Sequence, residues 1–175
     1  MPTIFAFAGQ NVFLDFIVIF LAKYVPYLFL LLFLSTIFSR KDRYAFLRNI
    51  FFTALSLLLS FGFFEAFIAY FIPRVRPFVA YGFEPLFSPP PTASFPSSHA
   101  TILFTLVAIV FLLGHRKSAF WFFIGATIIG LARVYSGLHY PVDILAGAGL
   151  GLFSSLIVWF FLPKNLKKLE PIMEV

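Results

Sequence analysis

Residues 133–143 read Arg-Val-Tyr-Ser-Gly-Leu-His-Tyr-Pro-Val-Asp, so Arg133, His139 and Asp143 stand six and four residues apart in otherwise apolar sequence. Two further polar patches lie upstream: Arg76-Pro77, and Pro96-Ser97-Ser98-His99. Two Arg, two His, two Ser and one Asp supply what phosphoryl transfer needs, namely forked donors for an oxyanion, a nucleophile and an acid for the leaving group. With Pro141 in the first turn of a helix, Asp143 can reach back to the His139 imidazole. A carboxylate on one ring nitrogen fixes the tautomer and makes the other more basic, and so able to attack phosphorus. His99 follows two Ser residues at an expected helix start, where free amides and hydroxyls form an anion site, and it can protonate a departing oxygen.

The elements that carry these patches are membrane helices. Of 175 residues, 61% are apolar and 11% charged, outside the range of soluble domains. Apolar runs cover residues 11–22, 26–38, 44–72, 99–113, 118–133 and 141–162. The expected fold is all-α, a polytopic transmembrane bundle of five to six helices forming one domain over residues 1–175, with its site at helix ends on one face. The first two runs are short and divided by Lys23 and Pro26. The first either lies in the interface, giving five spans, or crosses tilted, giving six. Residues 73–96 contain seven Pro and are expected to form an extended lid or collar. Gly147 and Gly151 are a small-xxx-small pair suited to close helix packing. Glu65 sits mid-span and is read as a structural partner of a polar neighbour or a protonated acid.

Charge placement fixes the expected orientation and excludes some partners. Arg40, Lys41, Arg43 and Arg48 share one loop, Arg116 and Lys117 a second, and Lys164, Lys167 and Lys168 the tail, all on one face of the alternating topology. The positive-inside rule makes that face cytoplasmic and puts Lys23, Arg74, Arg76 and Arg133 on the outer side of a plasma membrane. The net charge of +6 is topological, because the positives lie between apolar runs rather than on a nucleic-acid-binding face, so no nucleic acid is expected. With no Cys there is no thiolate metal site or cysteine nucleophile. Ala6-Phe7-Ala8 imitates a signal-peptidase site but has no basic region before it, and is read as mature sequence. Nothing in the pattern specifies an oligomer.

The three patches resemble the signature of the type 2 phosphatidic acid phosphatase superfamily, Lys-x6-Arg-Pro, Pro-Ser-Gly-His and Ser-Arg-x5-His-x3-Asp. The resemblance implies that Arg76 and Arg133 clamp phosphate, that Ser97 and the amide of Ser98 add donors, and that His139 is the nucleophile that becomes phosphorylated. It makes Asp143 the orienting residue and His99 the general acid, with water hydrolysing the phosphohistidine and no metal or other cofactor. Ala69, Ser98 and Ala132 stand where the motifs have Lys, Gly and Ser. For the missing Lys, Arg74 is the nearest replacement and Lys23 another. Residues 95–101, 132–141 and the opening from Ala8 to Tyr24 look like bacterial undecaprenyl-diphosphatases of the bacitracin-resistance type. That implies a lipid phosphate substrate among membrane lipids, first undecaprenyl diphosphate. The alternatives are phosphatidylglycerophosphate, phosphatidate or the lipid A 1-phosphate, and, in a different class, a non-catalytic phosphate-lipid binder or transporter.

Overall fold

The computed structural model describes residues 8–38, 43–88 and 92–163. All of its regular elements are helices: α1 (Val12–Lys23), α2 (Val25–Phe38), α3 (Arg43–Leu57), a π-helical turn (Leu58–Glu65), α4 (Ala66–Phe71), α5 (Pro77–Tyr81), α6 (Ser98–Leu112), α7 (Arg116–Tyr135) and α8 (Pro141–Phe161). Ordinary backbone signals set the ends. Asn11 caps α1 by accepting from the Phe13 and Leu14 amides, and Pro occupies the first turn of α5 and α8. Backbone polar groups in hydrocarbon must be paired within the segment, which is why the long apolar runs of the chain are helical.

The span count differs from the sequence expectation. Arg43–Phe71, Arg116–Tyr135 and Pro141–Phe161 are each long and apolar enough to cross a bilayer, and α1 with α2 makes a fourth crossing if the pair, bent by 41°, is one broken span. Lys23 and Pro26 lie at that bend. The remaining apolar helix, α6, has 15 residues, short for a bilayer. It is instead the axis of the bundle. Leu106, Ile109 and Val110 of α6 are fully buried beside Phe33 and Ile37 of α2, Phe52 of α3 and Ile129 of α7. Aromatic edges lock the surrounding helices together, with Phe29 and Phe122 ring centroids 4.7 Å apart and nearly perpendicular. The outer surface carries exposed Leu31, Phe51, Leu145 and Phe160, as a lipid-facing surface should.

Gly147 and Gly151 close the bundle. A methyl group added at Gly147 would lie 2.6 Å from the Ser97 carbonyl oxygen, and one at Gly151 2.6 Å from the Thr101 oxygen and the Thr105 nitrogen. These glycines let the backbone of α8 rest on that of α6. The start of α6 is thereby held against the start of α8, where the Ser97 amide donates to the Asp143 carbonyl at 3.1 Å. One charge reading needs revision. Arg48 is buried within α3, donating to Asn49 Oδ1 at 2.9 Å, and is not a loop cation. Arg40, Lys41, Lys164, Lys167 and Lys168, with Ala6 and Phe7, lie outside the described residues.

Candidate active site

The α7 to α8 turn brings the third patch to a point. Gly137 has φ +77, and a Cβ there would also meet the Phe83 ring at 2.5 Å, so the turn is built for glycine. It returns the chain so that Arg133, in the last turn of α7, and His139 face one cavity, while Asp143 sits in the first turn of α8. Asp143 Oδ2 accepts from the Tyr140 amide at 2.8 Å and so caps the helix that carries it.

The cavity has a volume of about 390 Å³. Its polar end is lined by Lys23, Arg76, Ser98, His99, Arg133 and His139, and its flank by Pro26, Tyr27, Leu30, Phe61, Ile102 and Leu106. Five expected site residues, Arg76, Ser98, His99, Arg133 and His139, thus share one chamber. Ser97, fully buried one residue before the cavity wall, has a hydroxyl with no hydrogen-bond partner, and the buried Nε of Arg133 has none either. Buried donors without acceptors are costly unless a ligand supplies the acceptor. An anion is a ligand that supplies acceptors.

His139 is oriented differently from the sequence expectation. Its Nδ1 lies 2.9 Å from the Ser94 carbonyl and 3.7 Å from Asp143 Oδ2, beyond hydrogen-bond range of the carboxylate. The main-chain oxygen therefore fixes the tautomer. Nδ1 carries the proton and donates to Ser94, and Nε2 presents its lone pair, 3.5 Å from Arg76 Nη1. Burial pushes the His139 imidazole below its ordinary pKa; Asp143 opposes this, and Arg133 and Arg76 add to it. The imidazole is neutral at pH 7 and able to act as a nucleophile.

Asp143, fully buried, accepts from the Ser94 hydroxyl and from Arg74 Nη1 at 3.1 Å, besides the Tyr140 amide. Arg74 was expected as a phosphate contact. Instead it pairs with Asp143 and lies over the Tyr140 ring, 4.3 Å from its centroid, outside the cavity lining. Of the two replacements considered for the motif Lys, Lys23 is the one that lines the cavity. The Ser98 hydroxyl turns away from the anion position and donates to buried Glu65 Oε1 at 2.8 Å, which leaves its helix-start amide for a ligand and gives Glu65 its polar neighbour.

Several contributors were not singled out in the sequence. Thr92 receives Arg76 twice, Nε to its carbonyl at 3.0 Å and Nη2 to its hydroxyl at 2.9 Å, while Arg76 Nη1 donates to the Leu138 carbonyl at 3.1 Å. Ser94 holds His139 by its carbonyl and Asp143 by its hydroxyl. Both belong to the Pro-rich connection, which thus acts as the collar that braces the site. Ala22 accepts from Arg133 Nη1 at 3.3 Å, and buried Ala132, where the motif has Ser, packs on Val18 and Ala22 of α1. The signal for Thr92 and Ser94 was their place between Pro91 and Pro96, the polar residues of a segment forced over a cavity.

Comparison with known proteins bears on the family and the fold. The chain is 28% identical over 172 residues to the undecaprenyl-diphosphatase BcrC of Bacillus subtilis, covering 95% of this chain and 82% of that protein. It is 41% identical over 71 residues to the bacitracin transport permease protein BcrC of Bacillus licheniformis, 41% of this chain, and the match spans about a third (34%) of that relative's length. Its fold matches the crystal structure of Aquifex aeolicus LpxE with a TM-score of 0.69, 23% identity, and 90% and 91% of the two chains covered. It also matches the transmembrane PAP2 type phosphatidylglycerolphosphate phosphatase of Bacillus subtilis at a TM-score of 0.59 and 24% identity, over 87% and 78% of the chains. The family model described as PAP2 superfamily matches residues 50–167, which hold all three patches, and the chain belongs to that superfamily.

Proposed function

We propose that this membrane lipid phosphatase hydrolyses undecaprenyl diphosphate to undecaprenyl phosphate and phosphate through a phosphohistidine on His139, at the outer face of the plasma membrane. One observation carries the reading: a neutral imidazole whose Nε2 is unprotonated, with Arg76 Nη1 3.5 Å away, facing a cavity lined by Arg133, whose buried Nε lacks an acceptor as does the Ser97 hydroxyl beside the cavity wall. Those donors with Arg76 hold the terminal phosphate, and His139 Nε2 attacks its phosphorus. The bond to the bridging oxygen breaks, its electron pair leaves with the lipid monophosphate, and His99 donates the proton. Water then attacks phosphorus and gives its proton to His99, the bond from phosphorus to Nε2 breaks with its electron pair returning to the ring, and inorganic phosphate leaves with both imidazoles restored. Asp143 is the counter-charge for the ring as it becomes cationic, and Arg74 steadies Asp143 rather than touching phosphate.

The apolar flank along Tyr27, Leu30, Phe61, Ile102 and Leu106 suits a prenyl tail, and the name of the relative aligned over 95% of the chain favours that substrate. The deciding experiment is phosphate release by purified full-length protein in micelles from undecaprenyl diphosphate, phosphatidylglycerophosphate, phosphatidate and lipid A 1-phosphate, with His139→Ala alongside. The account predicts preference for the diphosphate and loss of turnover by orders of magnitude in His139→Ala. Preference for another lipid moves the substrate assignment, and substantial function in His139→Ala would favour the non-catalytic binder or transporter.

A further inference from the structure

The cavity holds three cations, Lys23, Arg76 and Arg133, and phosphoryl transfer as described above uses only the two guanidinium groups. Lys23 ends α1, directly after Ala22, whose carbonyl is tied to Arg133 Nη1 at 3.3 Å. Its place is therefore set by the site itself, and α1 packs on α7 through Val18, Ala22 and Ala132. In chain order the lining residues of α6 are Ser98, His99, Ile102 and Leu106, and those from the end of α1 into α2 are Lys23, Pro26, Tyr27 and Leu30, so on each element the polar groups precede the apolar ones. A lipid whose terminal phosphorus meets His139 and whose tail follows the apolar walls passes His99 and Lys23 at its second position.

What occupies that position depends on the substrate. In a phosphate monoester it is the carbon of an alcohol, which leaves uncharged once protonated. In a diphosphate it is a second phosphate, which departs as an anion. We propose that Lys23 selects for diphosphates by neutralising this second, departing phosphate as the bridging bond breaks. The inference rests on the diphosphatase reading and adds a specificity-determining residue to it. An ammonium suits the task because the second phosphate needs a compact mobile charge, while the forked guanidinium groups fix the phosphorus under attack. The Lys23 ammonium lies 5.6 Å from the Tyr24 ring centroid, and among the described residues no carboxylate is recorded in an ion pair with it.

The test compares Lys23→Gln and Lys23→Arg with wild type on farnesyl diphosphate and farnesyl phosphate in micelles, measuring kcat and KM for each. Lys23→Gln is expected to lose about 10- to 100-fold in kcat/KM on the diphosphate, with kcat falling, and at least tenfold less on the monophosphate. Lys23→Arg, which keeps the charge, is expected to recover most of the preference. Equal proportional losses on both substrates, or an unchanged ratio, would overturn the role of Lys23 while leaving the diphosphatase reading intact. Wild-type protein that does not hydrolyse the diphosphate would overturn both. Because Lys23 is exposed at a helix end, thermal unfolding of the variants should match wild type.

Discussion

Replacing Asp143 by Asn separates two functions that a carboxylate near a histidine can serve. The His139 tautomer is set by the Ser94 main-chain oxygen at 2.9 Å, so Asp143→Asn leaves the ring oriented. An Asn oxygen can still accept from the Tyr140 amide, so the first turn of α8 stays capped. What disappears is the negative charge 3.7 Å from Nδ1, whose value rises when phosphorylation makes the ring cationic. Coulomb's law at an effective dielectric constant of about 20 gives about 4.5 kcal/mol for that attraction, a factor of about 10³ in rate, or about 10² where the carboxylate's charge is partly neutralised. Arg74 shares the carboxylate at 3.1 Å and weakens its pull on the imidazole, which points to the lower figure. Steady-state phosphate release should therefore show kcat down about 100-fold with KM changed less than about threefold. Ser94→Ala, which removes one donor to Asp143 but keeps the main-chain acceptor, should cost far less. A kcat for Asp143→Asn within threefold of wild type, or a loss confined to KM, would refute the reasoning.

Arg133→Lys should lower kcat/KM by at least about tenfold, because an ammonium cannot hold the Ala22 carbonyl and a phosphate in the same fork; equal activity would remove Arg133 from the phosphate site. Gly147→Ala should lower the unfolding temperature and the activity together, since a methyl group 2.6 Å from the Ser97 oxygen pushes α8 off α6 at a cost of about 1 to 3 kcal/mol. Gly149→Ala, where nothing lies within 4 Å, should leave both unchanged. In NMR of histidine-labelled protein, the ring resonance lost in His139→Asn should titrate below about pH 6.5, because burial and two guanidinium groups outweigh Asp143 and disfavour the charged form. Activity limited by this group then holds as pH falls through that value and is lost only at lower pH; a midpoint above it would contradict the burial. Vanadate should inhibit and chelators should not, as read by phosphate release, and strong loss in chelator would call for a metal-assisted mechanism.

The sequence carried the helical elements well because hydrocarbon forces helix on any crossing segment. The runs at 44–72, 99–113, 118–133 and 141–162 correspond to helical stretches whose ends agree within two residues. The number of crossings is less legible where helices interact. The chain bends by 41° between α1 and α2, and the 15-residue α6 is buried by its neighbours, neither of which apolar periodicity records. Arg76, Arg133, His99 and His139 were legible because ionisable groups in apolar sequence need a reason to be there, and all four line one cavity. Main-chain acceptors left no such trace. The Ser94 carbonyl holds His139 across 45 residues, and i, i+4 spacing pointed instead to Asp143, which is close but not bonded. Arg74 and Arg76, two residues apart, have different partners, Asp143 for the first and Thr92 for the second, which the sequence offset does not record.

The nucleophilic role of His139 is tested most directly by trapping the phosphoenzyme. Purified protein mixed with undecaprenyl diphosphate labelled in its terminal phosphate, and quenched into alkali within one turnover, should carry a base-stable, acid-labile label on the peptide containing His139, absent from His139→Asn. Label retained in His139→Asn, or no protein-bound label while phosphate is released at full rate, would contradict the account.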